Sequence, residues 1–130
     1  MKKLKVGVIR GGISSEREVS LKSGEEIIKE LNKEKYDVKD IILNDKKDIF
    51  TVLEGLEFVF LGLHGKFGED GKVQAILETM DIPYTGCGML SSALCMDKDI
   101  TKHIIKNYDI RTAKWFTVRT GEDYSYEEII

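Results

Sequence analysis

The sequence predicts an α/β fold built on a parallel sheet, and three observations carry that reading. Short apolar runs at residues 4–9, 38–43 and 58–63, the first rich in β-branched residues, alternate with stretches of helical periodicity, the pattern of βαβ units with right-handed crossovers. The run at 58–63, FVFLGL, is apolar at nearly every position, so it is expected to be the central strand, covered on both faces. Two of the runs lead directly into glycine-rich loops, and the carboxyl ends of strands are where open parallel sheets take their ligands.

Composition sets the outer limits. The chain has 130 residues, of which 42% are hydrophobic, enough for one core and too much for a disordered segment. Twenty Lys and Arg against 23 Asp and Glu leave a net charge of −3, so no nucleic-acid or anionic-membrane partner is expected. No apolar run approaches the roughly 18 residues that a membrane span needs. Cys87 and Cys95 match no zinc spacing, and with two histidines in the chain no metal cluster is expected. Unpaired thiols and the lack of a secretory leader pattern point to the cytoplasm.

Each element has a local reason. Residues 4–9 (LKVGVI) read as a buried strand ending at Arg10-Gly11-Gly12. Ser15-Glu16-Arg17-Glu18 fits the S-x-x-E capping box, so a helix is expected to begin there. Its inner face would carry Val19, Ser23, Gly24, Ile27 and Leu31, small in the middle so that the helix can lie close to a sheet. A second strand follows at 38–43, a short helix at 48–53 and the third strand at 58–63. After the loop His64-Gly65-Lys66-Phe67-Gly68-Glu69-Asp70-Gly71, the residues Val73, Ile76, Leu77 and Met80 form a helical stripe that Pro83 closes. Tyr84-Thr85-Gly86 reads as a short strand or turn. In the last third, Asp97 is placed to cap a helix through about Asn107. Residues 113–118 (AKWFTV), with Trp115 and Phe116 on opposite sides, read as a strand, and residues 124–130 as the start of a further helix. A chain closing on Glu-Glu-Ile-Ile is expected to be part of something longer.

The glycine loops carry the candidate chemistry. Gly11-Gly12-Ile13-Ser14-Ser15-Glu16 is neither the dinucleotide fingerprint nor a Walker phosphate loop. Glu16 has two readings: an acid favoured at a helix start by the free N–H groups there, or a carboxylate kept ionised to receive a ligand's ammonium group. His64, directly after the third strand, is either a packed structural residue or a hydrogen-bonding partner of a polar ligand or of Glu16. Glu69 and Asp70 read as caps of the next helix, Lys98, Lys102 and His103 as surface residues, and Cys87 as a structural thiol.

Four motifs in order carry a family resemblance. Gly11-Gly12-Ile13-Ser14-Ser15-Glu16-Arg17-Glu18-Val19-Ser20 resembles the amino-terminal motif of the D-alanine–D-alanine ligases. Leu63-His64-Gly65-Lys66-Phe67-Gly68-Glu69-Asp70-Gly71 resembles their second motif. Pro83-Tyr84-Thr85-Gly86-Cys87-Gly88 and Ser92-Ala93-Leu94-Cys95-Met96-Asp97-Lys98 resemble the third stretch and the entry to the next domain. The resemblance implies a Rossmann-like, pre-ATP-grasp domain over residues 1–96 that binds D-alanine, followed over 97–130 by the truncated beginning of the central ATP-grasp domain. It also implies an ATP- and Mg²⁺-dependent enzyme of peptidoglycan synthesis that joins two D-alanines through an acyl phosphate, and a homodimer formed through this domain. By motif, Glu16 matches the acid on the ammonium of the first D-alanine, His64 the histidine supporting that site, and Lys98 a lysine near the nucleotide phosphates. The metal ligands are expected beyond Ile130, so the 130-residue chain is expected to be inactive alone. Arg10 departs from the family, which usually has an apolar residue there. Depsipeptide and D-alanine–D-serine ligases are close variants, against which the Glu16-to-Ser20 run favours the dipeptide enzyme. The alternative is a stand-alone flavodoxin-like module that binds a small molecule without catalysis.

Overall fold

The computed structural model describes residues 2–125 and 127. The elements in order are β1 (Leu4–Gly11), α1 (Arg17–Glu30), β2 (Tyr36–Leu43), a 3₁₀ turn (Lys46–Asp48), α2 (Ile49–Val52), β3 (Phe58–Leu61), α3 (Lys72–Thr79), α4 (Met89–Met96) and α5 (Lys98–Lys106). The chain divides into two compact units, Met1–Met96 and Asp97–Ile130.

In the first unit three parallel strands lie in the order β2-β1-β3. β1 pairs with β2 from Leu4↔Tyr36 to Gly11↔Leu43 and with β3 from Val6↔Phe58 to Ile9↔Leu61. The central strand is therefore β1, not the 58–63 run, and β1 is the one with four consecutive buried residues from Val6 to Ile9. β3 is half-buried, with Phe58 and Phe60 edge to face at 5.3 Å, and its outer side meets one further parallel bridge, Val59↔Tyr84. An unbroken apolar run thus reflects aromatic packing at the sheet's flank here, not a central position. The core beneath the sheet gathers Ile9, Leu43, Ile49, Val59, Val73 and Leu77. Burying each such side chain contributes roughly 1.5–3 kcal/mol. Met80 falls outside it, 45% exposed at the end of α3.

Helix α1 turns the expected face inward with one exchange, Ser20 for Val19; Gly24 is buried and Ser23, Ile27 and Leu31 are half-buried. Val19 is 56% exposed, and the buried positions are Ser20 and Gly24. The capping box is not made either: α1 begins at Arg17 and no side chain caps it. Gly24 lets α1 reach the sheet, where it lies against Arg10 and Gly62. Arg10 packs across this glycine and donates two hydrogen bonds to Asp40 on β2, at 2.8 and 2.7 Å. Its third donor reaches the Leu21 carbonyl at 2.9 Å. This bidentate pair holds Asp40 below the usual carboxylate range. Arg10 thereby spans β1, β2 and α1.

Glu78 closes the other flank. Its Oε1 accepts from the Tyr84 hydroxyl at 2.5 Å and from the Met89 backbone N–H at 2.8 Å, tying the end of α3 to the 84 bridge and the start of α4.

The second unit is organised around α5. Asp97 caps it, accepting from the N–H groups of Asp99 and Ile100, both at 3.0 Å. Residues 113–118 form no strand. Asp99 Oδ1 instead accepts from Trp115 Nε1 and Thr117 Oγ1, both at 2.7 Å, while His103 stands edge-on to the Trp115 ring and Lys102 lies over it. Side-chain bonds to a helix take the place of a strand ladder. The helix expected over 124–130 lies outside the described residues.

Two outcomes follow from these contacts. Gly→Ala inside a helix ordinarily gains up to about 1 kcal/mol, but a β-carbon at Gly24 would stand 2.5 Å from Arg10 Cδ and 2.6 Å from its Cβ. We expect Gly24→Ala to lose about 1–3 kcal/mol in urea denaturation; a gain would show that the helix–sheet gap is not limiting. Desolvation by burial, then the bond and charge of Glu78, push Tyr84 from 10.0 to about 12. A raised pKa favours the protonated folded state, so this contribution is complete below pH 10.0 and is lost as pH rises toward 12. In a phenolate absorbance titration one tyrosine should titrate near 12 and move down in Glu78→Gln; an unmoved curve would remove the Glu78 contribution.

Candidate functional site

The carboxyl ends of β1 and β3 lie side by side, so the loops at 11–16 and 62–71 face each other. Gly11 and Gly12 both have φ +84, a conformation that side chains strain. The fully buried Ser20 on α1 bridges the two strand ends: its Oγ accepts from Gly11 N–H at 2.9 Å and donates to the Gly62 carbonyl at 2.6 Å. Arg17 braces the first loop from the other side. Its Nη1 donates to the carbonyls of Gly12 and Leu43, at 2.9 and 2.7 Å, and its Nη2 to Asn44 Oδ1 at 2.7 Å.

Ser14 makes the tightest link between the loops. Its hydroxyl donates to the His64 carbonyl at 2.7 Å and accepts from the Glu16 N–H at 3.1 Å. Glu16 is exposed, and its carboxylate has no hydrogen-bond or ion-pair partner among the described residues. It lies against Gly65, where a β-carbon would stand 2.5 Å from Oε2 and where φ is +67. Both facts require glycine after His64. The His64 ring is held by Ser23, whose Oγ is 3.0 Å from Nε2, and its Nδ1 faces Glu69 Oε1 at 3.9 Å. Glu69 also accepts from Gly65 N–H at 2.5 Å.

Glu69 is thus part of this corner and not a helix cap, whereas Asp70 does meet the start of α3, accepting from Lys72 N–H at 3.3 Å and from Phe67 N–H at 3.0 Å. Two carboxylates and an imidazole therefore surround one backbone corner at the strand ends. Such a set is rich in acceptors and favours a cationic, multiply donating group.

Of the three residues singled out from sequence, the structure brings Glu16 and His64 together. Lys98 is the exposed first residue of α5 in the second unit. Sequence reasoning missed Ser14, Ser20, Ser23 and Arg17. The signal was present as hydroxyl residues spaced through the first motif, but S-x-x-E drew attention to Ser15 as a cap.

Beside His64 a cavity of about 440 Å³ opens between the 62–71 loop and α4, lined by Leu61, Leu63, Gln74, Cys87 and Cys95 among others. Buried Gln74 donates to the Gly68 carbonyl at 2.8 Å, and its Oε1 has no partner among the described residues. Both cysteines are free and exposed. No group of three His, Cys, Asp or Glu among the described residues could hold a metal ion.

A family model described as the D-ala D-ala ligase N-terminus matches residues 5–55 and 44–87. The D-alanine–D-alanine ligase B of Clostridium perfringens (strain 13 / Type A) is 61% identical over 126 residues, 97% of this chain and 42% of the relative. A D-alanine–D-alanine ligase of Clostridium botulinum (strain Eklund 17B / Type B) is 56% identical over the same shares. Among solved structures, the Bacillus anthracis D-alanine–D-alanine ligase complexed with ATP superposes with a TM-score of 0.90 at 44% identity, over 98% of this chain and 42% of that one. The VanG D-Ala:D-Ser ligase of Enterococcus faecalis gives 0.75 at 32% identity, over 87% and 44%. The chain spans about 42% of the length of these curated relatives.

The Ser20 bridge is open to measurement. Ser20→Ala leaves a buried N–H and a buried carbonyl without their shared partner, which should cost about 1–3 kcal/mol in urea denaturation. A loss below about 0.5 kcal/mol would mean that solvent replaces the hydroxyl.

Proposed function

Since the chain belongs to the D-alanine–D-alanine ligase family through its N-terminal part, we propose that the corner around Gly65 binds the first D-alanine of an ATP-dependent ligase. One observation carries the reading. Glu16 is an unpaired carboxylate beside His64 and Glu69, in a corner that favours an ammonium group. In this reading Glu16 receives the amino group and His64, oriented by Ser23, supports the same site. The first D-alanine's carboxylate is then free to take the γ-phosphoryl group of ATP, releasing ADP. The amine of a second D-alanine attacks the acyl carbon; the tetrahedral intermediate loses phosphate with the C–O electron pair, and the amine loses a proton. The product is the dipeptide used in peptidoglycan synthesis.

The first unit serves as the D-alanine-binding domain and the second as the beginning of the ATP-grasp domain, with Lys98 near the nucleotide phosphates. The ATP-complexed relative from Bacillus anthracis supports the nucleotide. Mg²⁺, which would neutralise phosphate charge, finds no donor set among the described residues, so no step here is routed through it. A cytoplasmic location, where ATP is supplied, belongs to the same proposal. No helix of the described residues is long and apolar enough to cross a membrane. A homodimer through the first unit is part of the same proposal. It is supported by α4, which carries apolar residues and buries none, with Leu90 65% exposed.

The test is Glu16→Gln in the complete ligase. Removing a charge-assisted hydrogen bond of about 1.5–3 kcal/mol should raise the KM for the first D-alanine roughly 10- to 150-fold. An unchanged KM would withdraw the role from Glu16.

A further inference from the structure

We propose that Ser14 is the positioning residue that sets Glu16 against His64. The inference rests on the proposed ammonium site and assigns a device within it. Glu16 and His64 stand on separate loops with 47 residues between them; α1 holds the far side of each, through Ser20 N–H on the Glu16 carbonyl and Ser23 Oγ on His64 Nε2, and leaves the direct link between the loops to another residue. A single hydroxyl touches the backbone of both, donating to the His64 carbonyl and accepting from the Glu16 N–H. The donor and acceptor functions are used simultaneously, which a hydroxyl can do and an alanine or a purely donating group cannot.

The Ser14 bond adds the direct link between two loops whose bases are already held. Arg17 pins Gly12 to the end of β2, and Ser20 pins Gly11 to Gly62, so both loops are anchored at their bases. Between those anchors, residues 13–16 have Ser14 as their described bond to the opposite loop. On the opposite side the corner turns at Gly65, with its positive φ and with the Glu16 carboxylate directly against it. Losing the Ser14 bond leaves the strand ends joined through Ser20 and Glu16 held to α1 through its carbonyl, while releasing residues 13–16 from the His64 loop. Ser14 is half-buried, and its effect passes through the positions of the other two.

The experiment compares Ser14→Ala, Ser14→Thr and Glu16→Gln in the complete ligase, with thermal unfolding measured on each. Misplacing a binding group by about an ångström costs up to roughly 100-fold. Ser14→Ala is expected to raise the KM for the first D-alanine by about 5- to 50-fold, with the KM for ATP unchanged. Ser14→Thr keeps the hydroxyl and should return that KM to within about twofold of the parent. If Glu16→Gln raises the KM and Ser14→Ala does not, the positioning role falls and the ammonium site stands. If Ser14→Ala lowers kcat and weakens both substrates alike, unrescued by threonine, the serine is merely structural and the proposal falls. If neither variant moves the KM, the ammonium site itself is wrong and the inference goes with it.

Discussion

The hydroxyl of Ser20 joins the three elements on which the site is built. It is fully buried and uses both of its capacities, accepting from the end of β1 and donating to the end of β3. Backbone groups at the ends of parallel strands have no ladder partner beyond the last pair, and burying them unpaired is costly. One side chain from α1 satisfies two such groups. The helix is held to the sheet at the point where the ligand crevice opens, and Gly24 one turn later permits the close approach. Arg10 then covers that glycine and ties β1 to β2 through Asp40.

Around this rigid base the polar groups are arranged by sign. The acceptors Glu16 and Glu69 collect at the His64–Gly65 corner. The guanidinium of Arg17 is spent on carbonyls and Asn44 behind the first loop. The nearest arginine in sequence therefore does not neutralise Glu16, which stays available for a cation. Had Arg17 paired with Glu16, the corner would hold a closed ion pair and present little field to a ligand.

In the second unit one carboxylate organises a short structure without a sheet. Asp99 gathers Thr117 and Trp115, whose hydrogen bonds keep it ionised below its ordinary range. The tail is thereby folded back along α5 through side chains, an arrangement that β-propensity alone does not anticipate.

Several features were legible in the residues themselves. The parallel α/β class, β1, the helical stripe through Val73 and Leu77 and the Asp97 cap follow from local spacing and hydrogen-bonding chemistry, as does the presence of Glu16 and His64 at strand ends. These depend on periods of two or 3.6 residues and on neighbours a few positions apart. What tertiary structure decided is everything that depends on partners far along the chain. β1 and not the FVFLGL run lies in the centre because strand order is a choice among pairings, to which apolarity is blind. In the first turn of α1, Ser20 and not Val19 faces inward because Ser20 had two distant backbone groups to satisfy, 9 and 42 positions away. Residues 113–118 gave up a strand because no neighbouring strand was there to complete their hydrogen bonds among the described residues, and Asp99 was. Residue types announced which chemistry was available; packing determined which of those groups were consumed by the fold and which remained free to bind.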